Sequence, residues 1–241
     1  MRVPGRDERE LLALEVDVNF RLVDEVWVEG AGDGAGRAVV WAWSPRGRVV
    51  ALAPSACLRA EGVDLAGEAY VAGRAPQALG QLVDGAVEGG PCFVFPPPGG
   101  RRRLADLVAG AGLPLLASDA EGRRAARELI RPSNWQAEEW GRLISGGAGE
   151  WAMAVHGGKD VVCIAHTPVA NDIAAETGIW TREDFRGRGL APAVVAAWAA
   201  REGRRKEVLF YRTSAANRAS QAVARTLGLR PLGWIWTVGA Q

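Results

Sequence analysis

Apolar positions recur at helical spacing over residues 8–20, ERELLALEVDVNF, and predict a first helix. The period then shortens. EVWVEG (25–30) alternates between apolar and polar, and the apolar runs RAVVWAW (37–43) and VVALAP (49–54) follow, with GAGDGAG (30–36) and SPRGR between them. This reads as strand, turn, strand, turn, strand. GAGDGAG looks like a nucleotide loop, but a strand follows it rather than a helix, so a hairpin loop is the better reading. RAPQALGQLVDGAV (74–87) predicts a helix, PCFVFPPP (91–98) a short buried strand ended by prolines, and RRRLADLVAGAG (101–112) a helix closed by glycine. PLLAS and AEGRRAARELI add one more strand and helix.

The second half opens with RPSNWQAEEWGRLISGG (131–147), where Ser133 and Gln136 have capping-box spacing and Gly146–Gly147 end the helix. EWAMAVHGGKDVVCIAHT (150–167) predicts two strands turning at Gly157–Gly158, and VANDIAAETGIWT (169–181) a third. A helix (190–202), a strand EVLFYRT (207–213), a helix NRASQAVARTLG (217–228) and a strand RPLGWIWTV (230–238) complete the chain. Antiparallel strands followed by strand–helix–strand–helix–strand predict an α+β protein, a mixed sheet with helices on its faces. The chain divides on this reading into an N-terminal α/β region, 1–128, and a second domain, 129–241.

Composition narrows the classes. The 241 residues are 48% hydrophobic, enough for a sizeable core. With 29 basic residues against 28 acidic, the charge is balanced, which argues against a nucleic-acid partner. No apolar run reaches the ~18–20 residues of a membrane span, and MRVPGRDERELLALEV has no signal-peptide core, so no membrane partner is expected. Cys57, Cys92 and Cys163 are widely spaced and suit a reducing, cytoplasmic setting. With only His156 and His166 as histidines, no metal centre is expected. Ten tryptophans against two tyrosines is a bias that composition leaves unexplained.

Candidate chemistry centres on DFRGRGLA (184–191), between a strand and a helix. A helix start offers free N–H groups and a positive dipole end, glycines let an anion approach the backbone, and Arg186 and Arg188 add charge. That is a phosphate cradle in principle. A Rossmann fingerprint would need a third glycine where Pro192 stands, and a Walker loop would need Gly-Lys-Ser/Thr. A solvated loop competes on equal terms from these residues alone.

The flanks add weight. Arg186-x-x-Gly189-x-Ala191 resembles the pyrophosphate-binding motif Arg/Gln-x-x-Gly-x-Gly/Ala of the GNAT superfamily of N-acetyltransferases. AAETGIWTREDFRGRGLA looks like that family's fourth strand and coenzyme loop, and FYRTSAANRASQAVARTLGL like its fifth strand and following helix. The resemblance covers roughly residues 131–241 and implies a GNAT-like acyl-CoA-binding fold there. It implies acetyl-CoA as acyl donor, an amine acceptor, and direct transfer in a ternary complex. It further implies that the N–H groups of Gly187, Arg188, Gly189, Leu190 and Ala191, behind Arg186, face the diphosphate. The backbone of Ile179, Trp180 and Thr181 would pair with the pantetheine arm. Asn217 would bond the pantetheine or acetyl end, or act as a plain helix cap, and Ser220 is placed with it.

Glu176 is the candidate base, at a position where many family members carry glutamate; a strand salt bridge is the competing reading. A free carboxylate is a weak base near neutral pH, and partial burial would strengthen it. His166 is the runner-up base, although a packed strand histidine is the better reading. Where the family often has a tyrosine acid, this chain has Ala224; Tyr211 and Ser220 are the substitutes. Trp180, Trp234 and Trp236 read as core before acceptor pocket, and Arg218 and Arg225 as solvated helix face before ribose-phosphate contacts. The C-terminal segment lacks a first and a last strand of the family fold, which residues 1–125 or a homodimer partner must supply. The N-terminal region itself reads as a degenerate copy, a substrate-selecting lid or a dimer surface. The alternative to an enzyme is a GNAT-like module that senses acyl-CoA or docks a partner without turnover.

Overall fold

The computed structural model of the protein describes residues 5–20, 22–23, 26–27, 37–52, 63, 67–82, 85–97 and 102–239. The GAGDGAG hairpin expectation and Cys57 lie outside the described residues. In chain order the first elements are α1 (Glu8–Phe20), β1 (Leu22–Val23), β2 (Val26–Trp27), β3 (Arg37–Ser44), β4 (Gly47–Leu52), α2 (Leu79–Leu82) and β5 (Val87–Val94). Then come α3 (Arg102–Ala109), β6 (Leu115–Ala117), α4 (Ala120–Ala125), α5 (Ala137–Ser145), β7 (Trp151–His156), β8 (Asp160–Ala170) and β9 (Ala174–Thr181). The last are α6 (Leu190–Glu202), β10 (Val208–Arg212), α7 (Arg218–Thr226) and β11 (Arg230–Gly239). The class is α+β: β2 pairs β4 in parallel, and β3 pairs β4 antiparallel.

Two compact units are each assembled from separate stretches of chain. The first comprises Met1–Val94, Phe210–Gln221 and Arg230–Gln241; the second comprises Phe95–Leu209 and Ala222–Leu229. In the first, the strand order is β1-β2-β4-β3-β11-β5-β10. β5 is antiparallel to β10 on one side (Val94 beside Phe210) and to β11 on the other (Gly89 beside Trp236). A strand from the N-terminal region therefore fills a slot between the last two strands. β5 begins at Val87, four residues earlier than the strand expected at 91–98. Its Gly89 and Gly90 read as breakers in sequence, yet are needed within the sheet. A Cβ on Gly90 would come within 1.9 Å of the Thr213 carbonyl oxygen, and one on Gly89 within 2.4 Å of that of Ile235.

The tryptophan bias has a structural basis here. Trp41 and Trp43 of β3 stand opposite Trp236 and Trp234 of β11, forming a cross-strand ladder. Trp41, Trp43, Trp236, Leu79 and Leu82 are buried in one cluster. Trp234 stacks on Trp236 with ring centroids 5.4 Å apart, so both are packing residues of this unit. Among the described residues of 74–87, where a helix is expected, the helical ones are those of the short α2, and Val87 already belongs to β5. Pro76 precedes α2, and the Glu68 carboxylate accepts the Gln77 N–H at 2.8 Å, capping its start.

In the second unit the sheet runs β9-β8-β7-β6, all antiparallel. β6, again from before residue 125, forms its outer strand. Gly157 and Gly158 turn the β7–β8 hairpin with φ of +57° and +82°, within a connection of residues 157–159 between the paired His156 and Asp160. β8 runs on to Ala170, past the expected break. Asn171 then turns the chain, its side chain accepting the N–H groups of Ile173 (3.0 Å) and Ala174 (2.8 Å). A bulge at Thr167–Pro168 marks the point where proline has no N–H to give the ladder. α5 starts at Ala137, later than the cap expected at Ser133. The chain at 132–135 closes a turn, Trp135 N–H to Pro132 C=O at 3.1 Å. The capping-box pair is consequently Gln136 and Glu139, with Glu139 Oε2 accepting the Gln136 N–H at 3.3 Å. Gly146 ends α5 at φ +80° as expected.

α6 is anchored at its C-terminal end by a buried polar network. Glu202 Oε2 accepts from the Thr167 hydroxyl at 2.6 Å and from the Glu150 N–H at 3.0 Å. Trp198 Nε1 donates to Thr167 at 2.9 Å, and Arg201 Nε to Glu150 at 2.9 Å. Ser118 donates to the same Glu150 carboxylate. The Glu150 carboxyl is held below its ordinary pKa; burial works against this, and the Ser118 and Arg201 hydrogen bonds prevail. Satisfied on every side, such a network fixes helix position more than it adds stability.

Candidate active site

The loop between β9 and α6 belongs to the second unit. Arg182 leaves the sheet while its N–H still donates to Val162 C=O at 2.8 Å. One turn of 3-10 helix, Glu183–Phe185, then brings Phe185 into the core, 5% exposed. Gly187 and Gly189 both have φ of +74°, a left-handed backbone that disfavours a side chain, and nothing lies within 4 Å of where a Cβ would stand on either. α6 starts from Gly189 with no side-chain cap and no acidic residue in its first turn. Pro192 fits there because a first-turn N–H would have no helical partner. The first-turn N–H groups of Leu190 and Ala191 therefore lack the usual internal substitute for a ligand. Space, backbone donors and the positive end of a 13-residue helix coincide, which fits a diphosphate.

Arginines surround the loop. Arg182 is held by Asp184 through Nε (2.7 Å) and Nη2 (3.0 Å). That hydrogen bonding keeps the Asp184 carboxyl below its ordinary pKa. Arg186 Nε points back to the Thr181 carbonyl at 3.4 Å. Arg188 places its guanidinium 4.6 Å from the centre of the Phe185 ring.

A family model for the acetyltransferase (GNAT) domain matches residues 108–230. The chain belongs to the GNAT acetyltransferase family. Solved structures similar to this GNAT protein include a GCN5-related N-acetyltransferase-like protein from Streptococcus suis 89/1591 (20% identity, 68% of each chain, TM-score 0.45). Another is an acetyltransferase of the GNAT family from Colwellia psychrerythraea (15% identity, 68% of this chain and 61% of that one, TM-score 0.46). A tandem GNAT protein from the clavulanic acid biosynthesis pathway is similar at 19% identity over 73% of this chain and 61% of that one, TM-score 0.45. No curated protein matches the chain.

On β9 of this GNAT protein, Glu176, Gly178 and Trp180 share one face by strand alternation, and Ile179 and Thr181 lie on the other. Glu176 is 9% exposed and stands opposite Val169. His166 stands opposite Gly178, and a Cβ on Gly178 would be 2.5 Å from His166 Cε1, so the imidazole lies on the Glu176 face. Trp135 meets the His166 ring edge-on at 5.1 Å. Burial pushes the imidazole pKa down to about 4, against the opposing pulls of the Gly178 backbone and the Glu139 charge. His166 is the packed strand histidine, a poor base near neutral pH. Trp180 packs against the cluster built on Trp140, Trp151 and Met153. Thr181 Oγ1 lies 3.1 Å from Cys163 Sγ, whose thiol burial raises to about 11.

The remaining candidates come together in the first unit. Asn217 Oδ1 accepts the Ser220 N–H at 3.0 Å and thus caps α7. Ser220 Oγ lies 2.7 Å from the Tyr211 hydroxyl, linking Asn217, Ser220 and Tyr211 in one series. Tyr211 is 1% exposed. Arg218 reaches Gln221 Oε1 at 3.5 Å, a helix-face contact. Sequence reasoning missed Phe185. Its signal was an aromatic residue three positions from both Arg182 and Arg188, whose guanidiniums both lie over its ring.

Among the described residues no helix is long and apolar enough to cross a membrane, and no group of three or more His, Cys, Asp or Glu is placed to hold a metal ion.

Proposed function

We propose that the protein is an acetyl-CoA-dependent N-acetyltransferase acting on a primary amine by direct transfer. The observation that carries this reading is the uncapped start of α6 behind two open, left-handed glycines, in a chain of the GNAT family. The N–H groups of Gly187 to Ala191 hold the diphosphate, and the backbone of Ile179, Trp180 and Thr181 receives the pantetheine arm. Asn217 and Ser220 are kept as further coenzyme-binding residues. Acetyl-CoA supplies the activated acetyl group as a thioester.

Glu176 takes the proton from the acceptor ammonium. Its position on β9, away from bulk water and on the face shared with Gly178 and Trp180, suits a base that must not be levelled by solvent. Strand N–H groups beside Trp180 meet developing negative charge on the transferred carbonyl oxygen. Tyr211, through its bond to Ser220, is the proposed proton source for the departing thiolate.

Calorimetric titration with acetyl-CoA and with CoA tests the reading, followed by a primary-amine panel with thiol detection. Micromolar binding and thiol release with an amine support it. Binding without turnover on any amine would favour the second reading, a module that senses acyl-CoA. That reading has one specific support. Ala224, where the family often carries a tyrosine, is fully buried and offers no hydroxyl.

A further inference from the structure

The sequence motif treats Arg186 and Arg188 alike, but the structure does not. Arg186 turns its Nε back onto the carbonyl of Thr181, the last residue of β9. Arg182 is matched in charge by Asp184, which it grips through two nitrogens. Arg188 is exposed, between the two left-handed glycines, and its guanidinium is braced on the Phe185 ring at 4.6 Å. Phe185 is itself held in place. It is 5% exposed, carries the Arg182 guanidinium at 4.5 Å, and is met by the His156 ring at 5.1 Å. Two guanidiniums on one ring would repel, and Asp184 offsets the charge of Arg182.

Resting on the coenzyme site proposed above, we propose that Arg188 is the side chain that grips the diphosphate, and that Phe185 is its positioning residue. Arg186 mainly ties the loop to the end of β9. A free arginine samples many rotamers, and part of that freedom is lost whenever it grips an anion. Stacking on a fixed aromatic ring removes much of that freedom beforehand, so more of the ion-pair energy appears as affinity. Lysine cannot reproduce this, since it has no planar face to stack.

The test is calorimetric titration with CoA of the full chain and the variants R188A, R188K, R186A, F185L, F185W and F185L/R188A. R188A should raise Kd about tenfold, and R186A by no more than about threefold. R188K should lose several-fold despite keeping its charge. F185L should weaken binding several-fold in the presence of Arg188 and have no further effect in R188A, while F185W retains affinity. Should F185L not fold, the contrast of R188K with R186A decides the matter. An R186A defect equal to or larger than that of R188A overturns the inference, as do additive effects of F185L and R188A. No CoA binding by the unaltered protein overturns the coenzyme site itself, and this inference with it.

Discussion

His166→Gln offers a direct test of how the second unit buries its polar groups. In the folded chain the imidazole stays neutral down to about pH 4, because burial disfavours its charged form. In the unfolded chain it takes a proton at its ordinary value of 6.5. Between those values the unfolded state binds more protons, so stability rises with pH and falls on acidification through that window. At about 1.4 kcal/mol per pKa unit, the full cost is about 3 kcal/mol, of which about 2 kcal/mol has accrued by pH 5. The rim of the ring reaches solvent, which trims this toward about 2 kcal/mol overall. Glutamine fills similar space and does not titrate. Urea unfolding midpoints of both proteins, taken from pH 7 to pH 4.5, should therefore converge, or cross, on acidification by about 2 kcal/mol in free energy. Glu150, held below its ordinary carboxyl pKa, also loses its contribution in acid, but equally in both proteins, so it cancels in the difference. Stability curves that stay parallel over this range would refute the reasoning.

Glu176→Gln should lower turnover about 100-fold, within the range for loss of a general base, and leave CoA affinity unchanged by calorimetry; unaltered kcat would return Glu176 to a structural role. Gly189→Ala should destabilise the fold by about 1 kcal/mol, because its φ of +74° is left-handed. Denaturant midpoints would show this, and an unchanged midpoint would deny that the backbone requires glycine. Gly189→Trp should in addition abolish CoA binding by filling the space before α6; retained affinity would remove the coenzyme from this loop. Thr167→Val removes both the acceptor of Trp198 Nε1 and the donor to Glu202, and should cost about 1–3 kcal/mol. Matching stability for that variant would mean the network is not load-sharing.

The parts of the fold that were legible in sequence are those in which local chemistry and final packing agree. α6 spans the expected 190–202 because Gly189 and Pro192 start it and an unbroken apolar run buries it on nearly all sides. The Gly157–Gly158 turn was legible because two consecutive positive φ values leave few alternatives. β5 was misplaced because its glycines answer to neighbours far along the chain, the carbonyls of Thr213 and Ile235, which no local window contains. The capping box shifted from Ser133 to Gln136 because the turn closed at Pro132 is itself a competing local structure. At the candidate site, Arg186 and Gly189 were visible as a motif. The division of labour between Arg186 and Arg188 was not, since it depends on where Phe185 is buried.

The slot that β5 occupies has a bearing on how the molecule is made. Val94 must find Phe210, and Gly89 must find Trp236, so during synthesis β5 leaves the ribosome long before either neighbour exists. Until the last strands emerge, a segment built for the middle of a sheet has both edges unpaired, the condition in which chains aggregate or exchange strands with one another. The glycines that fit it to its slot also make it a weak template on its own. Recombinant pieces meet the same difficulty from the other side: residues 129–241 alone would contain β10 and β11 without the strand that joins them, inviting a strand from another copy to fill the gap.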